Sequence, residues 1–165
     1  MAVDGVQNLM KKLSQLRNMD PVAYKAVKRQ AEVVRGEAVK LCPVYAGPWG
    51  FVPRGELRGS IYSKVEQDAD ATIGCVYTDK DYAPYVEFGT GPMGQSNHAG
   101  ISPEVPVAYT QEPWVWADED GGFHTTEGQP AQPFMYPALK NMENHVVEAL
   151  RTELQTGIRK AGGGA

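Results

Sequence analysis

The sequence predicts an α+β fold: an antiparallel β-sheet with two long α-helices packed on one face, a short N-terminal helix and long loop insertions. Three observations predict it. Leu139, Met142, Val146, Leu150, Leu154 and Ile158 recur at spacings of three and four, which is one face of a helix. Ala23, Val27, Ala31, Val34, Ala38 and Leu41 draw a second stripe of the same kind. Between the two, residues 60–66 and 71–77 are β-rich runs joined by Gln67-Asp68-Ala69-Asp70, the pattern of a hairpin.

Taken in order, residues 4–17 place Val6, Leu9, Met10, Leu13 and Leu16 at helical spacing, with Asp4 positioned to cap the first turn. Asn18-Met19-Asp20-Pro21 then stops one helix and starts the next, since Asp20 can cap and proline suits a first helical position. That second helix carries Lys25, Lys28, Arg29, Glu32, Arg35 and Lys40 largely off its apolar stripe, a rather basic outer surface. Cys42-Pro43 ends it, because a residue before proline disfavours helical angles. Residues 43–59 are too rich in proline and glycine for a regular element, yet hold Trp49, Phe51 and Val52, so this loop is expected to cover something.

The densest aromatic segment is Tyr82-Ala83-Pro84-Tyr85-Val86-Glu87-Phe88-Gly89-Thr90-Gly91. Read as a strand, it puts Glu87 on the face opposite Val86 and Phe88. Two readings of Glu87 follow: a solvated acid on a half-buried strand, or a carboxylate paired with a basic residue of its own or a neighbouring subunit. It has no second carboxylate, His or Cys beside it in sequence, as a general acid would need. Residues 92–131 are the least regular region; within them 114–117 and 123–126 can pair as a hairpin across the acidic turn Asp118-Glu119-Asp120-Gly121-Gly122. An irregular stretch of that length is usually functional or ordered by a partner. Pro137 falls in the first turn of the last helix, and residues 161–165 form a flexible glycine tail.

Composition narrows the function classes. A chain of 165 residues with 42% hydrophobic and 22% charged residues reads as one soluble domain, 1–165. Its net charge of −4 argues against a nucleic-acid binder, which needs a concentrated basic face. Cys42 and Cys75 fit no metal-ligand spacing and read as buried free thiols in a reducing compartment, a bridge between the two being the alternative. Neither a signal peptide nor an apolar run of membrane-spanning length is visible, so synthesis and folding in the cytoplasm, away from membrane, are expected. The Asp79/Asp81 turn lacks the further ligands of a calcium loop. His98, His124 and His145 lie 26 and 21 residues apart, a spacing that matches no metal set, and no cofactor is expected.

Four blocks in order carry a family resemblance: Ala38-Val39-Lys40-Leu41-Cys42-Pro43-Val44, Gly55-Glu56-Leu57-Arg58-Gly59-Ser60-Ile61, Tyr82 through Thr90, and Gln132-Pro133-Phe134-Met135-Tyr136-Pro137-Ala138-Leu139. Together they resemble the gene-product-ten-like tail-component family of long-tailed phages and prophages, over roughly residues 20 to 160. The link between Pro43 and Arg54 and the 92–131 insert are longer here than the usual form. The resemblance implies a structural protein of the virion, made in the host cytoplasm. It would form or complete a ring at the head–tail junction, a hexamer by preference or a dodecamer nearer the portal. Its partners would be copies of itself and the neighbouring connector and tail-tube proteins, with DNA only passing through the lumen.

The residues point the same way, since a ring subunit needs a stiff core and loops that order against neighbours. Trp49, Phe51, Trp114 and Trp116 are the expected contact aromatics, with Arg54, Glu56, Arg58 and Glu87 as inter-subunit ion-pair candidates. The acidic turn 118–120 has two readings, a face toward the lumen or an adjacent ring and a solvated loop tip. Rival readings are a head-side adaptor, a small metal-dependent hydrolase gathering His98, Glu104 and His124 on zinc, and a DNA-packaging or regulatory factor using the basic 21–41 helix.

Overall fold

In the computed structural model the described residues are 20–44, 55–68, 70–118 and 120–161. The helix expected over 4–17, the residues Trp49, Phe51 and Arg54, and the terminal tail lie outside them. Nine elements follow in order: α1 (Asp20–Leu41), α2 (Glu56–Gly59), β1 (Ile61–Gln67), β2 (Thr72–Thr78), α3 (Ala83–Phe88), α4 (Gly91–Ser96), β3 (Trp114–Ala117), β4 (Phe123–Thr126) and α5 (Met135–Ala161). The fold is therefore mixed helix and sheet. A sheet of more than two strands does not form among the described residues; β1 pairs with β2 and β3 with β4. Among the same residues no helix is long and apolar enough to cross a membrane.

The chain gathers into two compact units. Of the described residues, one holds 20–35, 63–68, 70–76 and 142–161. Here Gly74 of β2 lies against α1: a β-carbon on it would stand 3.0 Å from Val27 Cγ1 and 3.2 Å from Ala31 Cβ. That contact fixes the inward face of β2, so Ile73 and Tyr77, on the alternate positions, point outward and are exposed. Across the helix pair, Gln30 and Arg29 of α1 reach Glu153 of α5 at 3.4 and 3.2 Å. The seam of α1 differs from the apolar stripe by a fraction of a turn. It runs Ala26, Gln30, Val34, Ala38, Cys42, four residues apart, with Leu41 exposed. Small side chains allow close packing there, and a polar glutamine sits in the middle of it.

The second unit holds, of the described residues, 36–44, 55–62, 77–118 and 120–141. Its centre is Phe134, fully buried, with Ala138, Leu57 and Ile61 also out of solvent. The aromatic segment 82–88 is helical rather than extended. Pro84 stands in the first turn of α3, where its missing N–H is harmless, and Gly89 (φ 74°) ends the helix. Aromatic β-propensity lost to these two backbone signals. The 91–131 region is irregular apart from α4 and the β3–β4 hairpin, whose register pairs Trp114 with Thr126 and Trp116 with His124.

Candidate functional site

Three clamps and one projecting hairpin make up the chemically distinctive part of the second unit. The first clamp is Glu87. It is only 6% exposed, and its carboxylate receives three backbone N–H groups from the start of α5. Phe134 and Met135 donate to Oε2 at 2.7 and 3.0 Å, and Tyr136 donates to Oε1 at 3.0 Å. A helix start leaves its first N–H groups without partners, and its dipole favours negative charge there. The next residue, Pro137, has no N–H to satisfy. Glu87 is therefore not solvated, and among the described residues it is not matched to a base; it is the N-cap of α5, supplied from a distant segment.

The second clamp closes the other long helix. The Arg58 guanidinium donates from Nη2 and Nε to the Cys42 carbonyl at 2.6 and 3.3 Å, just past the last residue of α1, where cations are favoured. Beside it, Lys80 Nζ and Glu56 Oε1 are 2.5 Å apart, and that bond raises the Lys80 pKa above its ordinary value. Burial pushes the Cys42 thiol up to about 11, outweighing the opposite pull of Arg58. Both cysteines are free, Cys42 buried and Cys75 half-buried.

The third clamp is backbone on backbone. Thr90 and Gln129 form an isolated antiparallel bridge, at 2.9 Å from Thr90 N–H to Gln129 O and 3.1 Å in return. The approach is so close that a β-carbon on Gly128 (φ 95°) would lie 1.9 Å from the Thr90 carbonyl oxygen. One on Gly91 would lie 2.7 Å from Trp114 Cζ3, so Trp114 packs inward on that glycine. Gly-Thr-Gly in the sequence was the available signal for such an approach, but its partner segment was not readable.

Beyond the bridge, the β3–β4 hairpin is braced at its tip. Asp118 Oδ1 accepts the Gly122 N–H at 2.6 Å, and Oδ2 lies 2.7 Å from His124 Nε2. The contact to His124, then the Gly122 amide, hold the Asp118 carboxyl below its ordinary range. Trp116 stacks on the His124 ring at 4.9 Å. The alternate face carries Val115, Ala117, Phe123 and Thr125, all exposed, Phe123 at 81% and Val115 at 60%. Sequence reasoning singled out the two tryptophans of this hairpin and passed over Phe123 and Val115, which the two-residue alternation places outward.

The expected site residues thus scatter by role. Glu56, Arg58 and Glu87 each bond within the chain, Trp114 packs inside, and Trp116 is 38% exposed. His98 stacks with Tyr109 at 5.9 Å while His124 faces Asp118. Among the described residues no three His, Cys, Asp or Glu side chains come close enough to hold a metal ion. The basic face of α1 is partly neutralised in place. Arg29 pairs with Glu153, Arg35 with Glu32 and Lys40 with Glu37, at 3.2, 2.8 and 3.3 Å. Glu32 also accepts the Ser63 hydroxyl, and that bond first, then Arg35, lowers its pKa.

Two of the four sequence blocks, and all but the last residue of the third, lie within one family match. The family described as "Bacteriophage HK97-gp10, putative tail-component" matches residues 4–89, just over half of the chain. The chain belongs to this family. No curated protein and no solved structure matches it. In this phage tail component the match stops at Gly89, yet Glu87 bonds to the segment 134–136 beyond it. The matched and unmatched parts of the tail component are thus joined by the α5 cap.

Proposed function

We propose that this tail component is a non-enzymatic structural virion protein of the head–tail junction, forming or completing a ring at the top of the tail through which DNA passes. The observation that carries the reading is the apolar outer face of the β3–β4 hairpin, Val115 and Phe123, held rigid by the Asp118–His124 contact beneath it. A stiff, exposed apolar projection is costly in a free monomer and useful in an interface. Tyr85, 59% exposed, extends the same character to α3. Conversely, the charged groups best suited to chemistry or ion pairing are spent on helix ends.

A hexamer matches the six-fold tail, and a dodecamer would place the protein nearer the portal. Its neighbours would be copies of itself, the connector and the tail tube. The net charge of −4 suits a channel wall along which phosphates slide without sticking, with no sequence-specific DNA contact. Trp116 stays in the proposed interface beside Val115 and Phe123. The test is negative-stain microscopy of particles made without this protein. Separate full heads and finished tails are expected; joined, infectious particles would overturn the reading.

A further inference from the structure

The first unit holds a groove of about 320 Å³ between the start of α1 and the end of α5, lined by Val22, Lys25, Arg29, Thr152, Thr156 and Lys160 among others. Gly157 and Glu153 complete the lining, which thus mixes Val22 and two threonines with three cations and one carboxylate. Of the three cations, Arg29 is matched by Glu153 at 3.2 Å. Lys25 and Lys160 make no ion pair among the described residues.

The β3–β4 hairpin has the complementary character. Phe123 projects from it at 81% exposure, and Asp120 stands exposed in the turn three residues before. A single aromatic anchor flanked by a carboxylate suits a partly apolar groove in which cations outnumber carboxylates, and such anchors carry most of the energy of an interface. Groove and hairpin are different surfaces of the same chain, so their contact between copies is head-to-tail, the kind that closes into a ring. Resting on the ring reading above, we infer that the β3–β4 hairpin of one copy docks in the α1/α5 groove of the next, Phe123 entering beside Val22 and Asp120 meeting Lys25 and Lys160.

The experiment uses full-length chains in assembled particles, all carrying Cys75→Ser; Cys42 is buried and stays. One chain also carries Thr125→Cys, on the exposed hairpin face beside Phe123, and the other Thr156→Cys, on the groove wall. The two are co-assembled and oxidised with a soluble copper oxidant, each new disulfide giving up two thiol protons and two electrons to it. Disulfides between unlike chains are expected. Adding Phe123→Ala or Asp120→Lys should lower their yield by at least about tenfold, and Lys25→Glu with Lys160→Glu should restore the Asp120→Lys loss. Disulfides mainly between two Thr125→Cys chains would overturn the inference by showing hairpins stacked on each other. Intact rings without cross-links would overturn it too, leaving the groove to another virion protein and the ring reading standing. Particles with no ring of this protein would sink that reading and the inference together.

Discussion

At Glu87 one side chain holds two distant parts of the sequence together. Its carboxylate satisfies three N–H donors at the start of a 27-residue helix and is itself buried. Glu87→Ala leaves those donors without their acceptor and is expected to destabilise the protein by about 2–4 kcal/mol. Glu87→Gln, which keeps one acceptor oxygen, should cost roughly half as much. Urea unfolding reads both; a Glu87→Ala midpoint equal to wild type would show that the cap contributes nothing. Cys42 gives the second residue-scale test. Its folded pKa of about 11 lies above the ordinary thiol value, so the native state keeps a proton that the unfolded chain loses first. Stability should therefore fall as pH rises from about 9 toward 11, by at most roughly 1.4 kcal/mol per unit. Cys42→Ala should be less stable than wild type at pH 8 yet show a flatter decline, and identical slopes would remove burial of the thiol as the cause.

At the scale of elements, the bracket between residues 90 and 129 depends on glycine where no side chain fits. Gly128→Ala combines a positive φ with a β-carbon 1.9 Å from the Thr90 oxygen, so the bridge must open. A loss of about 2–4 kcal/mol is expected, with faster amide exchange at Thr90 and Gln129 than elsewhere in the unit. Unchanged exchange at both amides would mean that the bridge is not what the glycine protects. Long elements were legible in the sequence because their signals repeat: α5 from its stripe at 139–158, α1 between Asp20-Pro21 and Cys42-Pro43, and both hairpins from their acidic turns. The six-residue α3 completes fewer than two turns, too few for a period to show, and its aromatics mimic a strand. Pro84 and Gly89 were the helix signals there, and they outweighed side-chain propensity. The clamps left no local signal, because a carboxylate bonding N–H groups 47 to 49 residues away makes no short-range pattern.

At the scale of the whole molecule, stability and assembly should separate by residue. Groups that close the fold lie inside: Glu87 on α5, Arg58 on the end of α1, Gly128 on Thr90. Groups offered outward on the β3–β4 hairpin, Val115 and Phe123, support nothing beneath them that burial records. Replacing both by serine removes apolar area that is already in water, so the unfolding midpoint should move by no more than about 0.5 kcal/mol. In particles the same area is expected to be covered, and its loss should lower the yield of joined heads and tails by at least about tenfold. Glu87→Ala must show the opposite pattern, a large shift in unfolding with assembly reduced only as far as folded chain is lacking. Complementation counts set beside urea midpoints for the two variants decide the matter. A Val115→Ser, Phe123→Ser chain that assembles like wild type would leave the hairpin without its proposed role, and one that unfolds easily would return these side chains to the core.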